Sequence, residues 1–238
     1  MKSQLFAPDF QEHQVPGGFG LQNERLLKVA LSGDIMARQG AAVAWQGDVN
    51  FAYQGAGAKK LIKKMVTGED LQLMKVSGNG DVFLADYAAE VHVMYLENDS
   101  VTVNGQNVLA FDSTLEWDIK RVKGLGGMAG QGFFNIVIQG TGALALTTIG
   151  TPVILDPSTQ PTFCDPAAAV AWSTSLAPEL KKTDGMLKSM IGRGSGELFS
   201  MGFQGQGFVV VQPSEGYPWS MAASTQNSTG GGIGSLFS

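Results

Sequence analysis

Apolar and polar residues alternate with a period of two through much of this chain. Val91-His92-Val93-Met94-Tyr95 and Val101-Thr102-Val103 show the pattern plainly. Such alternation predicts strands with one face on a core, because successive side chains point to opposite sides. Apolar-rich runs also lie at Leu71 to Val76, Phe133 to Ile138 and Leu198 to Phe203. Each leads within two residues into Gly-x-Gly and a second apolar run: GNGDVFL from Gly78, GTGALAL from Gly140 and GQGFVVV from Gly205. Glycine at these places predicts a tight turn or bulge between two strands, where a residue with a Cβ would not tolerate the backbone angles.

A second pattern recurs with the first. An apolar residue, an alanine and an aromatic follow one another at Val43-Ala44-Trp45, Leu109-Ala110-Phe111 and Val170-Ala171-Trp172. The aromatics are 66 and 61 residues apart, and the glycines Gly78, Gly140 and Gly205 are 62 and 65 apart. Each aromatic precedes its glycine by 33, 29 and 33 residues. Turn-type residues stand before each aromatic at Gln39-Gly40, Asn104-Gly105 and Asp165-Pro166. Two independent patterns with one period and one order predict a module used three times.

The expected architecture is therefore all-β: three tandem antiparallel β-sandwich-like units in a pseudo-threefold repeat, with few short helices. The units are expected at about 29–90, 91–155 and 156–213, within one compact domain over 1–221. Trp45, Phe111 and Trp172 are expected to share one core position. Helical spacing is confined to Leu61, Ile62, Met65 and Val66, and to Met186, Leu187, Met190 and Ile191. The Ser-, Thr- and Gly-rich stretch over 222–238 is expected to be a flexible tail.

Composition sharpens this picture in three places. Hydrophobic residues make up 44% of 238, enough for a sizeable core. A net charge of −5 gives the whole molecule no pull on nucleic acid, so an anionic partner would need a local basic patch. Cys164 is the single cysteine, which precludes a disulfide within the chain and suits a reducing compartment. The sequence shows neither a signal-peptide pattern nor 18 consecutive apolar residues, so a cytoplasmic location is expected.

Three segments carry a family resemblance: TGEDLQLMKVSGNGDVFLA (Thr67 to Ala85), SVTVNGQNVLAF (Ser100 to Phe111) and the later Gly-x-Gly stretches. Over roughly Leu31 to Pro213 the chain resembles the altered inheritance of mitochondria protein 24 family, the mitochondrial biogenesis family. The resemblance implies small antiparallel units similar to those of the tryptophan RNA-binding attenuation protein. It also implies a ring-like homo-oligomer, with a trimer favoured. It supplies no catalytic residue and no cofactor. Fungal members of the family are linked to mitochondrial inner-membrane organisation.

Residues that could carry chemistry are few. The Gly-x-Gly segments lack the following helix and Lys-Ser/Thr that a phosphate cradle needs. His13 and His92 are far apart, and with one cysteine they make no zinc site of the usual spacing. Glu90 and His92 share a strand face, so a carboxylate-held base is geometrically open there, but a half-exposed strand pair is the simpler and preferred reading. Cys164 has no neighbouring base or cation in sequence and reads as a buried, inert thiol. The pairs Glu69-Asp70, Glu97-Asp99 and Glu116-Asp118 read as solvated loop residues.

Basic residues are distributed more informatively. Three groups stand between the aromatic and the Gly-x-Gly of each unit: Lys59, Lys60, Lys63 and Lys64; Lys120, Arg121 and Lys123; Lys181, Lys182, Lys188 and Arg193. Symmetry would gather them on one rim, a candidate surface for RNA phosphates or anionic lipid headgroups. Against this, Asp118, Glu179 and Asp184 partly cancel the charge, and no aromatic interleaving suits base stacking. The expected function is that of a non-catalytic structural or assembly protein acting as a homo-oligomer. An anion-binding module is the alternative.

Overall fold

A computed structural model describes residues 1–53, 72–120, 134–182 and 199–215. The described residues form fifteen strands: β1 (Gly18–Asn23), β2 (Leu26–Ala30), β3 (Ile35–Arg38), β4 (Ala42–Tyr53), β5 (Leu73–Leu84), β6 (Glu90–Asn104), β7 (Val108–Asp112), β8 (Glu116–Lys120), β9 (Asn135–Thr148), β10 (Val153–Leu155), β11 (Thr162–Cys164), β12 (Ala169–Ser173), β13 (Glu179–Lys182), β14 (Phe199–Phe203) and β15 (Val209–Val211). Twelve belong to one sheet, in the order β1-β2-β5-β3-β7-β9-β6-β12-β15-β10, with β4 also on β5 and β8 also on β9. A three-stranded sheet, β11-β14-β13, completes the fold. The pairings are antiparallel, and the helical elements among the described residues are three 3-10 turns. The chain is thus all-β and antiparallel. The two stretches of helical spacing, at Leu61 to Val66 and Met186 to Ile191, and the expected tail lie outside the described residues.

The pairing registers explain the two sequence patterns. Trp45 lies opposite Val82, Phe111 opposite Leu144 and Trp172 opposite Val209. Each partner stands two residues after the second glycine of its Gly-x-Gly. The register shifts in the same place each time, between Ala42 and Ala44, Val108 and Ala110, and Ala169 and Ala171. The apolar residue before each alanine is therefore the extra residue of a β-bulge. On the other side of Gly-x-Gly, Ile35 pairs with Val76, Val101 with Ile138 and Thr162 with Phe203. Each of those partners stands two residues before the first glycine.

Gly-x-Gly is not a turn between two strands in its first two occurrences, contrary to the sequence expectation. Gly78 and Gly80 lie inside β5, and Gly140 and Gly142 inside β9. There the long strand bends while its neighbour runs on beside it: Gly80 faces Gly47 and Gly78 faces Val49. A Cβ on Gly78 would collide with the Asp48 carbonyl, so the close approach of two backbones fixes the glycine. In the third occurrence the glycines form a bend between β14 and β15.

The core falls into three clusters. Leu27, Val29, Val76, Val82 and Leu84 centre the first, Phe111, Ile136, Ile138 and Leu144 the second, and Trp172, Met201, Phe203 and Val209 the third. The shared core position expected for the three aromatics holds for two of them. Phe111 is 0% exposed and Trp172 is 2%, but Trp45 is 54% exposed. The physical reason is a missing neighbour. Strand β3 lies along the outer edge of β7, and β6 along that of β12, whereas among the described residues β4 pairs with β5 alone.

The opening thirty residues, which lie ahead of the repeated pattern, also contribute strands. β1 pairs with β2, and β2 extends the sheet along β5 with Leu27 opposite Leu84.

Candidate functional site

Strands β8 and β9 on one side and β12 and β13 on the other leave a cavity of about 670 Å³. Its floor includes Trp172 and Val137, and its polar lining includes Thr102, Lys120, Asn135 and Glu179. Trp172 meets Phe203 edge to face, with centroids 5.5 Å apart and planes at 62°. Thr102 and Thr174 join their hydroxyls at 3.3 Å along one wall. One ammonium and one carboxylate beside an aromatic floor suit binding. Among the described residues, the cavity lining contains no histidine, cysteine or second carboxylate.

Of the basic candidates, Lys120 and Lys181 are described in full. Both are exposed, and they hold matching places: Lys120 lies opposite Asn135, five residues before Gly140, and Lys181 opposite Ser200, five before Gly205. Lys181 Nζ also stands 4.9 Å from the centre of the Phe163 ring. Lys182 ends β13. Lys59, Lys60, Lys63, Lys64, Arg121, Lys123, Lys188 and Arg193 lie outside the described residues.

The catalytic candidates are held in other ways. His92 Nε2 meets Thr148 Oγ1 at 2.8 Å. Burial lowers the imidazole pKa below its ordinary value, and the Glu90 charge offsets only part of that. Glu90 itself accepts from the Thr151 hydroxyl at 3.3 Å. Cys164 in β11 is partly buried. Burial, with a smaller push from Asp165, raises its thiol to about 12, the opposite of what a nucleophile needs. No group of three metal-ligating side chains occurs among the described residues. No helix among them is long and apolar enough to cross a membrane.

Two charged groups not singled out in the sequence hold the structure together. Lys28, 2% exposed on its side chain, binds Glu12 Oε1 at 2.6 Å and Asp81 Oδ2 at 2.9 Å, and donates to the His13 carbonyl at 3.1 Å. Burial alone would lower its pKa, but the two carboxylates outweigh this and hold it above 10.5. It staples the N-terminal segment to β2 and β5. Arg38, at the end of β3, donates from Nε to the Val108 carbonyl at 3.0 Å and from Nη2 to the Gly105 carbonyl at 3.0 Å. The signal in the sequence for both was a cation within or ending a run of apolar strand residues, Leu26 to Ala30 and Ile35 to Arg38.

The model of the mitochondrial biogenesis AIM24 family matches residues 19–214, most of the chain and nearly all of its strands. The chain belongs to that family. A relative, an uncharacterised protein of Streptococcus pyogenes serotype M6, is 27% identical over 196 residues, covering 76% of this chain and 77% of its own. A crystal structure of a Streptococcus pyogenes protein superposes with a TM-score of 0.64 at 22% identity. The match covers 88% of this AIM24-family chain and 97% of the other, and it shows a shared fold.

Proposed function

We propose that this chain is a non-catalytic assembly protein of the cytoplasm: three copies of one antiparallel unit, acting as a homo-oligomer with a trimer favoured. The observation that carries this reading is a set of exposed apolar residues on strand edges. Val43 and Trp45 in β4 and Phe163 in β11 stand more than half exposed, on strands each paired along one edge only. Unpaired strand edges with apolar side chains invite another chain, and closing them within an assembly removes the hazard. Equal registers around the three Gly-x-Gly segments support the threefold unit, and through it the likeness to the tryptophan RNA-binding attenuation protein. The high thiol pKa of Cys164 and the Thr148-bound His92 support a role without catalysis.

Light scattering tests the assembly directly. A mass that is a multiple of 25.1 kDa at micromolar concentration is expected, and a mass of 25.1 kDa refutes it. A second reading, anion binding through a basic rim, has one observation in its favour: Lys120 and Lys181 occupy matching register positions. It predicts salt-sensitive binding to anionic vesicles or single-stranded RNA that Lys120→Glu and Lys181→Glu reduce.

A further inference from the structure

Inside the chain the same junction is built twice. β3 pairs with β7, placing Ile35, Met36 and Ala37 opposite Asp112, Phe111 and Ala110. β6 pairs with β12, placing Val101, Thr102 and Val103 opposite Ser173, Trp172 and Ala171. In register terms, the strand before one bulge segment always meets the bulge segment that follows next. Continuing the series leaves two strands without their counterpart: β11, in the place of β3 and β6, and the start of β4, in the place of β7 and β12. Among the described residues, each is paired along its other edge alone.

Burial marks the same gap residue by residue. Leu109 and Val170 are fully buried, while Val43 in the matching place is exposed. Ala110 and Ala171 are buried, and Ala44 is exposed. Phe111 and Trp172 are buried, and Trp45 is not. On the facing strand, Met36 and Thr102 are buried while Phe163 is 52% exposed. Ala37 and Val103 are fully buried, and Cys164 only in part. The residues left uncovered are those that the two completed junctions bury.

We propose that β11 of one copy pairs antiparallel with the start of β4 in a second copy, Phe163 opposite Trp45 and Cys164 opposite Ala44. This rests on the homo-oligomer reading above and names its joint. Thr162 then faces Gln46, in the register of Ile35 with Asp112 and Val101 with Ser173. The joint is heterologous, joining the last unit of one chain to the first of the next, so it propagates to a ring or a filament. It differs from a symmetric pairing of two β4 edges or two β11 edges.

Two measurements test it. Trp45→Lys and Phe163→Lys alter exposed side chains, so the monomer still folds, and each is expected to reduce the assembly to 25.1 kDa in light scattering. Ala44→Cys, oxidised by copper phenanthroline at pH 9, is expected to give covalent multimers through Cys164, since directly opposed strand residues lie within disulfide reach. The multimers should vanish when Cys164→Ser is added. If the protein assembles but neither lysine variant lowers its mass, this joint is wrong and the assembly reading stands. The joint is equally wrong if Trp45→Lys dissolves the assembly and Phe163→Lys leaves its mass unchanged. Crosslinking that survives Cys164→Ser points to β4 against β4, and a crosslink confined to a single chain points to closure within it; either overturns the proposal. A wild-type monomer removes both readings.

Discussion

Three glycines with nearly the same backbone angle offer a graded test of how the strand bends are built. Gly78, Gly140 and Gly205 have φ of +120°, +125° and +121°, so alanine pays a similar conformational cost at each, about 1–3 kcal/mol. What a new Cβ meets differs. At Gly205 the nearest atom is Leu176 Cδ2 at 3.5 Å, an ordinary contact. At Gly140 it is Leu115 Cδ2 at 3.3 Å, a methyl that can move by a few tenths of an ångström. At Gly78 it is the backbone carbonyl of Asp48, which cannot move without breaking the β4–β5 ladder. Overpacking against a fixed group adds about 1–3 kcal/mol. Expected losses are therefore about 1–3 kcal/mol for Gly205→Ala, slightly more for Gly140→Ala and, in the middle of the summed range, about 3–5 kcal/mol for Gly78→Ala. Gly33→Ala, with ordinary φ and open space around its Cβ, should stay within about 0.5 kcal/mol of wild type. Urea unfolding at one fixed protein concentration reads all four. With a slope of roughly 2–3 kcal/mol/M, the Gly78 midpoint falls by more than about 1 M. Equal losses at the three glycines would refute the close-approach argument and leave φ alone in charge.

Two further perturbations separate core from edge and staple from scaffold. Trp172→Ala should cost about 3–5 kcal/mol by calorimetry, whereas Trp45→Ala in dilute monomer should cost about 1 kcal/mol, the loss of its edge-to-face contact with Phe51 at 5.1 Å. The Lys28 hydrogen bond, outweighing partial burial, holds the Glu12 carboxyl below its ordinary 4.5. The stability it contributes is therefore complete above about pH 4.5 and is lost as pH falls through the lowered value. Urea midpoints of wild type and Glu12→Gln should differ at pH 6 and draw together as pH falls below 4.5; a gap independent of pH would show that the carboxylate charge is irrelevant.

The recurrent turns and glycines were legible in the sequence because each is a local demand, whereas the bulges at Val43, Leu109 and Val170 emerged only from the pairing registers. A bulge after a turn, or two backbones in close approach, requires the same residue types wherever it is built, so Val43-Ala44-Trp45 and Leu109-Ala110-Phe111 announce the same geometry. The environment of Trp45 was not legible, since the same three residues are buried or exposed according to whether another strand lies beside them. The Gly-x-Gly segments were left open between a turn and a bulge because a glycine kink inside a strand and a glycine turn between strands share one composition. Lys28 escaped notice because its partners Glu12 and Asp81 are distant in sequence, Glu12 on a segment outside the repeated pattern.

Each junction inside the chain is also clamped by a side-chain donor. At the end of β3, Arg38 donates to the carbonyls of Gly105 and Val108. At the matching end of β6, Asn104 Nδ2 donates to those of Pro166 and Ala169, at 3.4 and 3.3 Å. The matching residue after β11 is Asp165, and a carboxylate has no proton to give the corresponding carbonyls, those of Gln39 and Ala42. A joint without its donor, and without a covalent tether, is weaker than the two inside the chain, which suits assembly that depends on concentration. The remedy is already written in the second junction. Asn104 Oδ1 accepts the Gln106 N–H at 3.1 Å while its amide bridges the junction, and Asp165 Oδ1 accepts the Ala167 N–H at 2.7 Å in the same way. Asp165→Asn can therefore keep the local turn and add the missing donor. One added hydrogen bond, about 0.5–1.5 kcal/mol, should tighten each joint roughly 2- to 10-fold in sedimentation equilibrium. Unchanged or weakened association in a variant with a wild-type melting profile would mean that Asp165 does not face the next copy.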